Sequence, residues 1–535
     1  MKKFRKIASL VLAAAMVGTM PVTVFAEGET ETTAAVTKVT SAKISTSKDR
    51  TFDVYQIFTG DLASNGKLSN LKWGVNGIGS KGQDVDETTI NTLTAIDNAN
   101  TSDADKIKII EQFASIDTAK KVATVDKDHP YVAATGYYIF RDVTENLGEG
   151  ETLSADVTLV TAVTGDTIIT PKTGTTESGK KVKDTNDSTG ETTDWQDSSD
   201  YDIGDAVPFE LTAKVASDYD HYTKGYKLTF HDVESTGLSF NANSVTVYLD
   251  KDADGKVDST LTKDTDYTVK TSGLTDGCSF EVHFENLKNI SDVKAGSVIT
   301  VEYTSTLNND AVVGKNGNTN KSNITYTNNP YDEQAGEKGS TPWDNVIVFT
   351  YDVEVDKVDQ DKKPLTGAEF SLEKFEAAEN GTETYKSIKG SWVAKTVIKN
   401  DAGTVFTIHG LDDGEYRITE ITTPAGYNTA DPIYFTVNAE HSVESATPEL
   451  TSLTGTAVKS DGTAFTDADI QSGKVASFET TLTKTTGKVA TTVVNNQGST
   501  LPTTGGMGTT ILYVAGAILV IAGAAVLVIK KRHEA

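Results

Sequence analysis

The chain has 535 residues, with 76 Asp and Glu against 49 Lys and Arg, a formal net charge of −27, and a single cysteine. So acidic a surface disfavours nucleic acid or anionic membrane as partners, and one cysteine rules out an intramolecular disulfide. At about 100–200 residues per domain, the length suits three or four domains, each large enough to bury a core.

Lys2, Lys3, Arg5 and Lys6, an apolar run over residues 7–17 and "VFA" before Glu27 have the three-part layout of a secretory signal peptide, so residues 1–26 are set aside from the fold. Beyond them, short runs such as "KLTFHDV", "NSVTVYL", "SVITVEYTSTL", "YDVEV" and "EYRITEI" alternate apolar with polar residues between Gly, Asn and Asp punctuation. That period of two predicts an all-β chain of tandem immunoglobulin-like sandwiches. One helix is predicted in the first third, where "TSDADKIKIIEQFASI" gathers Ile107, Ile110, Phe113 and Ala114 on a core-facing side behind a Ser102 cap. Polar stretches at residues 173–199 and 328–345 mark boundaries, giving domains at 27–175, 176–345 and 346–499 and a terminal segment at 500–535.

Chemistry-bearing patterns are sparse. Cys278, in the strand-like "GCSFEVHF", reads as a small buried hydrophobe. The turn "DKDADGKVD" offers Asp250, Asp252, Asp254 and Asp258 at calcium-loop spacing, but Leu261 stands where a bidentate Glu is required, so a charged hairpin turn is expected. The seven histidines make no metal or triad spacing, and neither "GxSxG" nor "HExxH" occurs, so neither an enzyme nor a cofactor is expected.

At the C-terminus, Leu501, Pro502, Thr503, Thr504 and Gly505 form "LPTTG", followed by 19 uncharged residues (511–529) and the basic Lys530, Lys531 and Arg532. At a rise of about 1.5 Å per residue such a run can cross an apolar layer of roughly 30 Å, and the positive-inside rule leaves the basic tail in the cytoplasm. The three parts in order resemble the sorting signal of Gram-positive surface proteins. The resemblance implies that a sortase cleaves between Thr504 and Gly505 and passes Thr504, as a thioester, to a new amine. Pro502 forbids helix continuation and Gly505 with Gly506 leaves an accessible backbone, as such a groove requires.

In "YDVEVDKVDQDKKPLTGAEFSLEKF", alternation sets Val353, Val355 and Lys357 on one face. Together with "LDDGEYRITEITTPAGYN" and "ATTVVNNQG", this segment resembles the collagen-adhesin B-type domain, a β-sandwich with an internal isopeptide bond. The resemblance implies Lys357 as amine, Asn495 as amide and Glu420 as assisting acid. Burial would favour a neutral, nucleophilic amine and a protonated acid, and Glu420 would hydrogen-bond the Asn495 carbonyl and shuttle a proton as ammonia leaves.

"SGKKVKD", "DIGDAVPFELTAKVASDYDHYTKGYKLTFHDVESTGLSF" and "GNTNKSNITYTNNPY" likewise resemble the isopeptide-forming middle domain of backbone pilins, with Lys180, Asn320 and Asp232 in the three roles. Lys181, Lys183, Asn318 and Asn323 are near enough to be alternatives. "TGDTIITPKTG" resembles the pilin motif, whose lysine accepts the preceding subunit's C-terminus; here that is Lys172, although Thr170 replaces the usual aromatic before the proline. The expected protein is a major pilin: Thr504 of one copy joined to Lys172 of the next by a class C sortase, with a housekeeping sortase fixing the fibre to peptidoglycan at the cell surface. Minor or tip pilins, and a host glycan or matrix protein, are the further partners this implies. The rival is a wall-anchored adhesin that does not polymerise.

Overall fold

The computed structural model describes residues 41–46, 49–62, 68–96, 103–117, 120–154, 158–162, 167–170, 173–332, 334–399, 403–471, 476–478, 483–498 and 512–522. The expected signal peptide, Lys172 and the LPTTG motif lie outside them. The described chain is dominated by β-strands arranged as three successive pairs of sheets.

In the first pair, Ser41–Thr46 lies between Tyr131–Ala134 and Thr167–Ile169, antiparallel to the former and parallel to the latter. The facing sheet runs in the order Leu68–Trp73, Phe52–Leu62, Gly136–Asp142, Thr158–Ala162. Ile44, Phe52, Val54, Tyr138 and Phe140 fill the space between the sheets, while Tyr55, Ile57, Trp73 and Ile139 form a second core on the far side. The predicted helix is present as Asp103–Glu111, with Ile110, Phe113 and Ala114 packed into that second core; Ser102 lies outside the described residues. A second helix, Glu87–Ile96, was not predicted. Its sequence, "ETTINTLTAI", is rich in β-branched residues of modest helix propensity. The fold overrides that preference by burying Ile90 and Leu93 against the same core, and Asp86 caps it by accepting from the Thr89 amide (2.9 Å) and hydroxyl (2.8 Å).

The middle pair joins a seven-stranded sheet to a six-stranded one around Phe209, Leu211, Phe230, Phe280, Val301 and Ile324. Glu177–Val182 is an edge strand of the smaller sheet, antiparallel to Ala206–Lys214 with Lys180 opposite Leu211. Asn318–Thr327 lies inside the larger sheet between Leu228–Glu234 and Asp344–Phe349. The latter strand carries the middle sheet past the expected 345/346 boundary to Phe349, because the alternation of "DNVIVF" continues the pairing begun at Ser322.

The last pair sets a three-stranded sheet of Val405–Leu411, Tyr351–Asp359 and Lys488–Asn495 against a six-stranded sheet that includes Glu369–Ala377, Gly414–Thr422 and Ile433–His441. The first and last strands of this unit run parallel, with Lys357 opposite Val493 and Asp359 opposite Asn495. Past it, residues 512–522 are helical; the rest of the expected membrane span lies outside the described residues. No described helix is long and apolar enough to cross a membrane.

Candidate functional site

Three lysines are completely buried among the described residues: Lys180, Lys357 and Lys374. An ammonium in such a place must be paired or must lose its proton. The three solve this differently.

Lys180 points inward from its edge strand because its neighbour Val182 does, and the facing sheet supplies Asp232 and Asn320, both fully buried. The Lys180 Nζ donates to Asp232 Oδ2 at 2.6 Å and to the Tyr303 hydroxyl at 2.8 Å. That hydroxyl donates to the same Asp232 oxygen at 2.8 Å and accepts from Asn320 Nδ2 at 2.9 Å. Burial pulls the Lys180 amine below its ordinary pKa against the opposing effect of Asp232, and burial pushes the Asp232 carboxyl up against Lys180. Both shifts favour the neutral pair, an amine beside a carboxylic acid. The rings of Phe209 and Tyr303 lie 5.2 and 5.3 Å from the amine and close the site to water.

The alternative residues are engaged elsewhere. Lys181 donates to Asp197 at 2.5 Å and Lys183 stacks on Trp195; the Asn318 amide donates to the Val348 carbonyl and that of Asn323 to the Thr341 carbonyl. Tyr303 and Glu234 were missed by sequence reasoning. Glu234 takes the Ser305 hydroxyl, approaches the Asn320 amide at 3.5 Å, and is pushed up to about 7 by burial and by Asp232. Tyr303 was legible only as one inward residue of an alternating strand, Val298–Leu307.

In the last unit Lys357 faces inward with Val353 and Val355, as alternation predicts. Among the described residues its Nζ donates only to main-chain carbonyls, Val358 at 3.0 Å and Val493 at 3.3 Å, and burial holds its pKa below the ordinary value despite Glu420 and Asp359. Glu420 enters from the opposite sheet. Its Oε2 accepts from Asn495 Nδ2 at 2.8 Å and from the Ala430 amide at 2.8 Å. One expectation needs correction here. The acid meets the amide nitrogen of Asn495, not its carbonyl, because the same nitrogen also donates to the Asn428 carbonyl at 2.7 Å, an acceptor that only an N–H can satisfy.

The two sites share an unusual deficit. Among the described residues, Asp232 Oδ1, Asn320 Oδ1, Glu420 Oε1 and Asn495 Oδ1 are all buried without a hydrogen-bond partner, where such an atom costs about 1–3 kcal/mol. Each site therefore holds an amine whose pKa burial lowers, a carboxamide with a bare carbonyl oxygen and an acid, shielded from water.

Lys374 is the contrast. Burial works against its charge, but Tyr416, Asp412, Asp202 and Asp187 outweigh it and raise its pKa well above the ordinary value. It is a held ammonium and no nucleophile.

Other residues singled out in the sequence fall as follows. Cys278 precedes the strand Phe280–Phe284 and is half-buried, not in the core; its thiol donates to Asp276 at 3.1 Å, and burial and then Asp276 push its pKa up. In the 250–258 turn the Asp250 carboxylate accepts the amides of Asp252, Asp254 and Gly255, while Lys251 pairs with Asp258 at 2.8 Å. The histidines, scattered in sequence, do join acidic groups in space: His231 with Asp276 and Cys278, and His441 with Asp184 and Asp200. Residue spacing could not reveal clusters assembled from separate strands. Thr167–Ile169, the strand leading to Lys172, pairs with Ser41–Thr46.

Residues 203–330 match the Gram-positive pilin backbone subunit 2, Cna-B-like domain; residues 351–450 match the prealbumin-like fold domain; residues 493–535 match the LPXTG cell wall anchor motif. The trypsin-resistant surface T6 protein of Streptococcus pyogenes serotype M6 is 26% identical over 375 residues, 62% of this chain and 65% of that relative, so the match spans just under two thirds of the relative's length. Among solved structures, the T6 backbone pilin of serotype M6 Streptococcus pyogenes aligns with a TM-score of 0.49 at 19% identity, covering 86% of this chain and 98% of that one. The full-length major pilin SpaD from Corynebacterium diphtheriae aligns with a TM-score of 0.44 at 16% identity, over 86% and 98%. The matched regions define a cell-wall-anchored surface protein built from pilin-type β-domains. Within that class, the chain is similar to the backbone pilins of Gram-positive bacteria.

Proposed function

We propose that this chain is the shaft subunit of a covalent pilus, stiffened by two self-formed isopeptide bonds, Lys180 to Asn320 and Lys357 to Asn495. In each, the neutral amine attacks the carboxamide carbon and the new C–N bond replaces the old one. The proton lost by the amine passes through the acid, Asp232 or Glu420, to the departing nitrogen, which leaves as ammonia. Glu420 is well aligned for that last transfer because it already touches the Asn495 nitrogen. Each bond forms once within its own chain, so the protein modifies itself without turnover. A sortase then cleaves after Thr504, and Lys172 of the next copy resolves the thioester; the final link goes to peptidoglycan, and minor or tip pilins complete the fibre.

The observation that carries this reading is the pair of dry amine, acid and carboxamide sites in consecutive sandwiches of a chain that ends in an LPXTG anchor. Tension along a fibre would unzip a sandwich held only by hydrogen bonds, and this chain has one cysteine and so no internal disulfide. Intact mass tests the internal bonds: two ammonia losses lower the mass by about 34 Da. Lys172→Arg tests the polymer, which should vanish as a high-mass ladder on a denaturing gel. A ladder that survives removes Lys172 as the acceptor, and a parent strain with single-copy species alone favours the non-polymerising adhesin.

A further inference from the structure

Charge buried between the middle and last units is used by neither crosslinking site. Lys374 spends its three N–H bonds on Asp187 (3.0 Å), Asp202 (3.4 Å) and Asp412 (2.9 Å). Lys395 pairs with Asp202 and Glu376, both at 2.8 Å, and His441 Nε2 stands 3.6 Å from Asp200 and 3.7 Å from Asp184. The cations run out before the carboxylates do. Among the described residues, no ammonium reaches Asp413, which accepts from the Asn186 amide. Asp200 is 2% exposed, yet among the described residues its Oδ2 has no hydrogen-bond partner. Carboxylate oxygens of Asp200, Asp412 and Asp413 nevertheless lie within 4.8 Å of one another. Three acids at that separation repel one another strongly in a medium of low dielectric unless positive charge sits among them.

We propose that Asp200, Asp412 and Asp413 bind a hard divalent cation, calcium in an extracellular setting, which clamps the middle domain to the C-terminal one. An all-carboxylate donor set selects calcium or magnesium over the softer transition metals. Calcium tolerates irregular geometry and completes its shell with water and carbonyl oxygens, which suits ligands drawn from two domains. Asp200 ends the strand Ser198–Asp200 of the middle unit, and Asp412 with Asp413 forms the turn between Val405–Leu411 and Gly414–Thr422 of the last. The bound ion therefore crosses the joint, adding to the ammonium of Lys374, and stiffens a shaft at the point where its covalent braces, each internal to one sandwich, do not reach.

Titration calorimetry of the full chain with calcium chloride, after chelator treatment and dialysis, tests the site. The expected result is about one ion bound per chain with a dissociation constant at or below about 1 mM, accompanied by a rise in unfolding temperature that saturates with calcium. Asp413→Asn and Asp200→Asn should each weaken binding at least about tenfold, while Asp252→Asn in the exposed 250–258 turn should leave it unchanged. No binding by the parent chain overturns the proposal, as does parent-like binding in both folded joint variants. Loss of binding in Asp252→Asn also overturns it, since the ion would then belong to the turn. Protons are the competing remedy, because burial and then Asp200 push the Asp413 carboxyl up to about 8. If the chain gains stability on acidification and gives no response to calcium at pH 7.5, protons neutralise the joint and the cation site does not exist.

Discussion

Asn320→Ala should remove the proposed middle-domain crosslink while disturbing little else. The Lys180 amine keeps both Asp232 and the Tyr303 hydroxyl, so no buried charge loses its partner. What is lost is the constraint on the unfolded chain, a closed loop of about 140 residues between positions 180 and 320. Loop-closure entropy for that length is worth about 5 kcal/mol, and in a domain of this size each kcal/mol moves the midpoint by about 2–4 °C, so the middle transition should fall by roughly 10–20 °C. Scanning calorimetry reads the fall, and intact mass should show a single ammonia loss, about 17 Da. Asp232→Ala should also block the bond but fall further, because it strands the Lys180 amine without its acid. A variant Asn320→Ala that keeps the parent's double mass deficit and its unfolding temperature would refute the assignment of this pair.

Glu420→Ala should leave Lys357 and Asn495 unjoined, giving one remaining ammonia loss by mass spectrometry; two losses would remove Glu420 from the chemistry. Lys374→Met should leave both losses intact, yet destabilise the chain by about 3–5 kcal/mol, since it abandons buried carboxylates that the ammonium now holds; denaturant melts measure this. Glu234 and Glu210 are each pushed up to about 7, by burial first and then by Asp232 and Glu302 respectively. An acid whose folded pKa is raised stabilises the fold fully below its unfolded value near 4.5 and loses that contribution as pH rises through about 7. The middle domain should therefore melt at lower temperature at pH 7.5 than at pH 5, and the double variant Glu234→Gln, Glu210→Gln should flatten that slope. An unchanged slope in the double variant would refute the assignment.

The strands and the two inward lysines were legible because a strand has a strict period of two: Val353, Val355 and Lys357 must share a face, as must Lys180 and Val182. Lys374 obeys the same rule, with Phe370 and Leu372 buried beside it, but alternation alone cannot say whether an inward lysine meets an amide or a ring of acids. The helix Glu87–Ile96 was hidden for the opposite reason, since its β-branched residues argue against helix locally and only contacts with Tyr55, Trp73 and their neighbours reverse the balance. The bond from the Tyr303 hydroxyl to Asp232 and the direction of the Asn495 amide depend on partners 71 and 67 or more residues away, a separation over which periodicity carries no signal.

By itself, then, the sequence determined the compartment, the anchor, the sandwich class and which residue types face inward, because charge, hydrophobic length and alternation are properties of adjacent residues. Only the tertiary structure decided which buried lysine has its pKa lowered by burial and which is held as a cation, and where carboxylates from two domains converge. A pKa is set by the groups within a few ångströms in space, and the fold alone brings together residues so far apart along the chain.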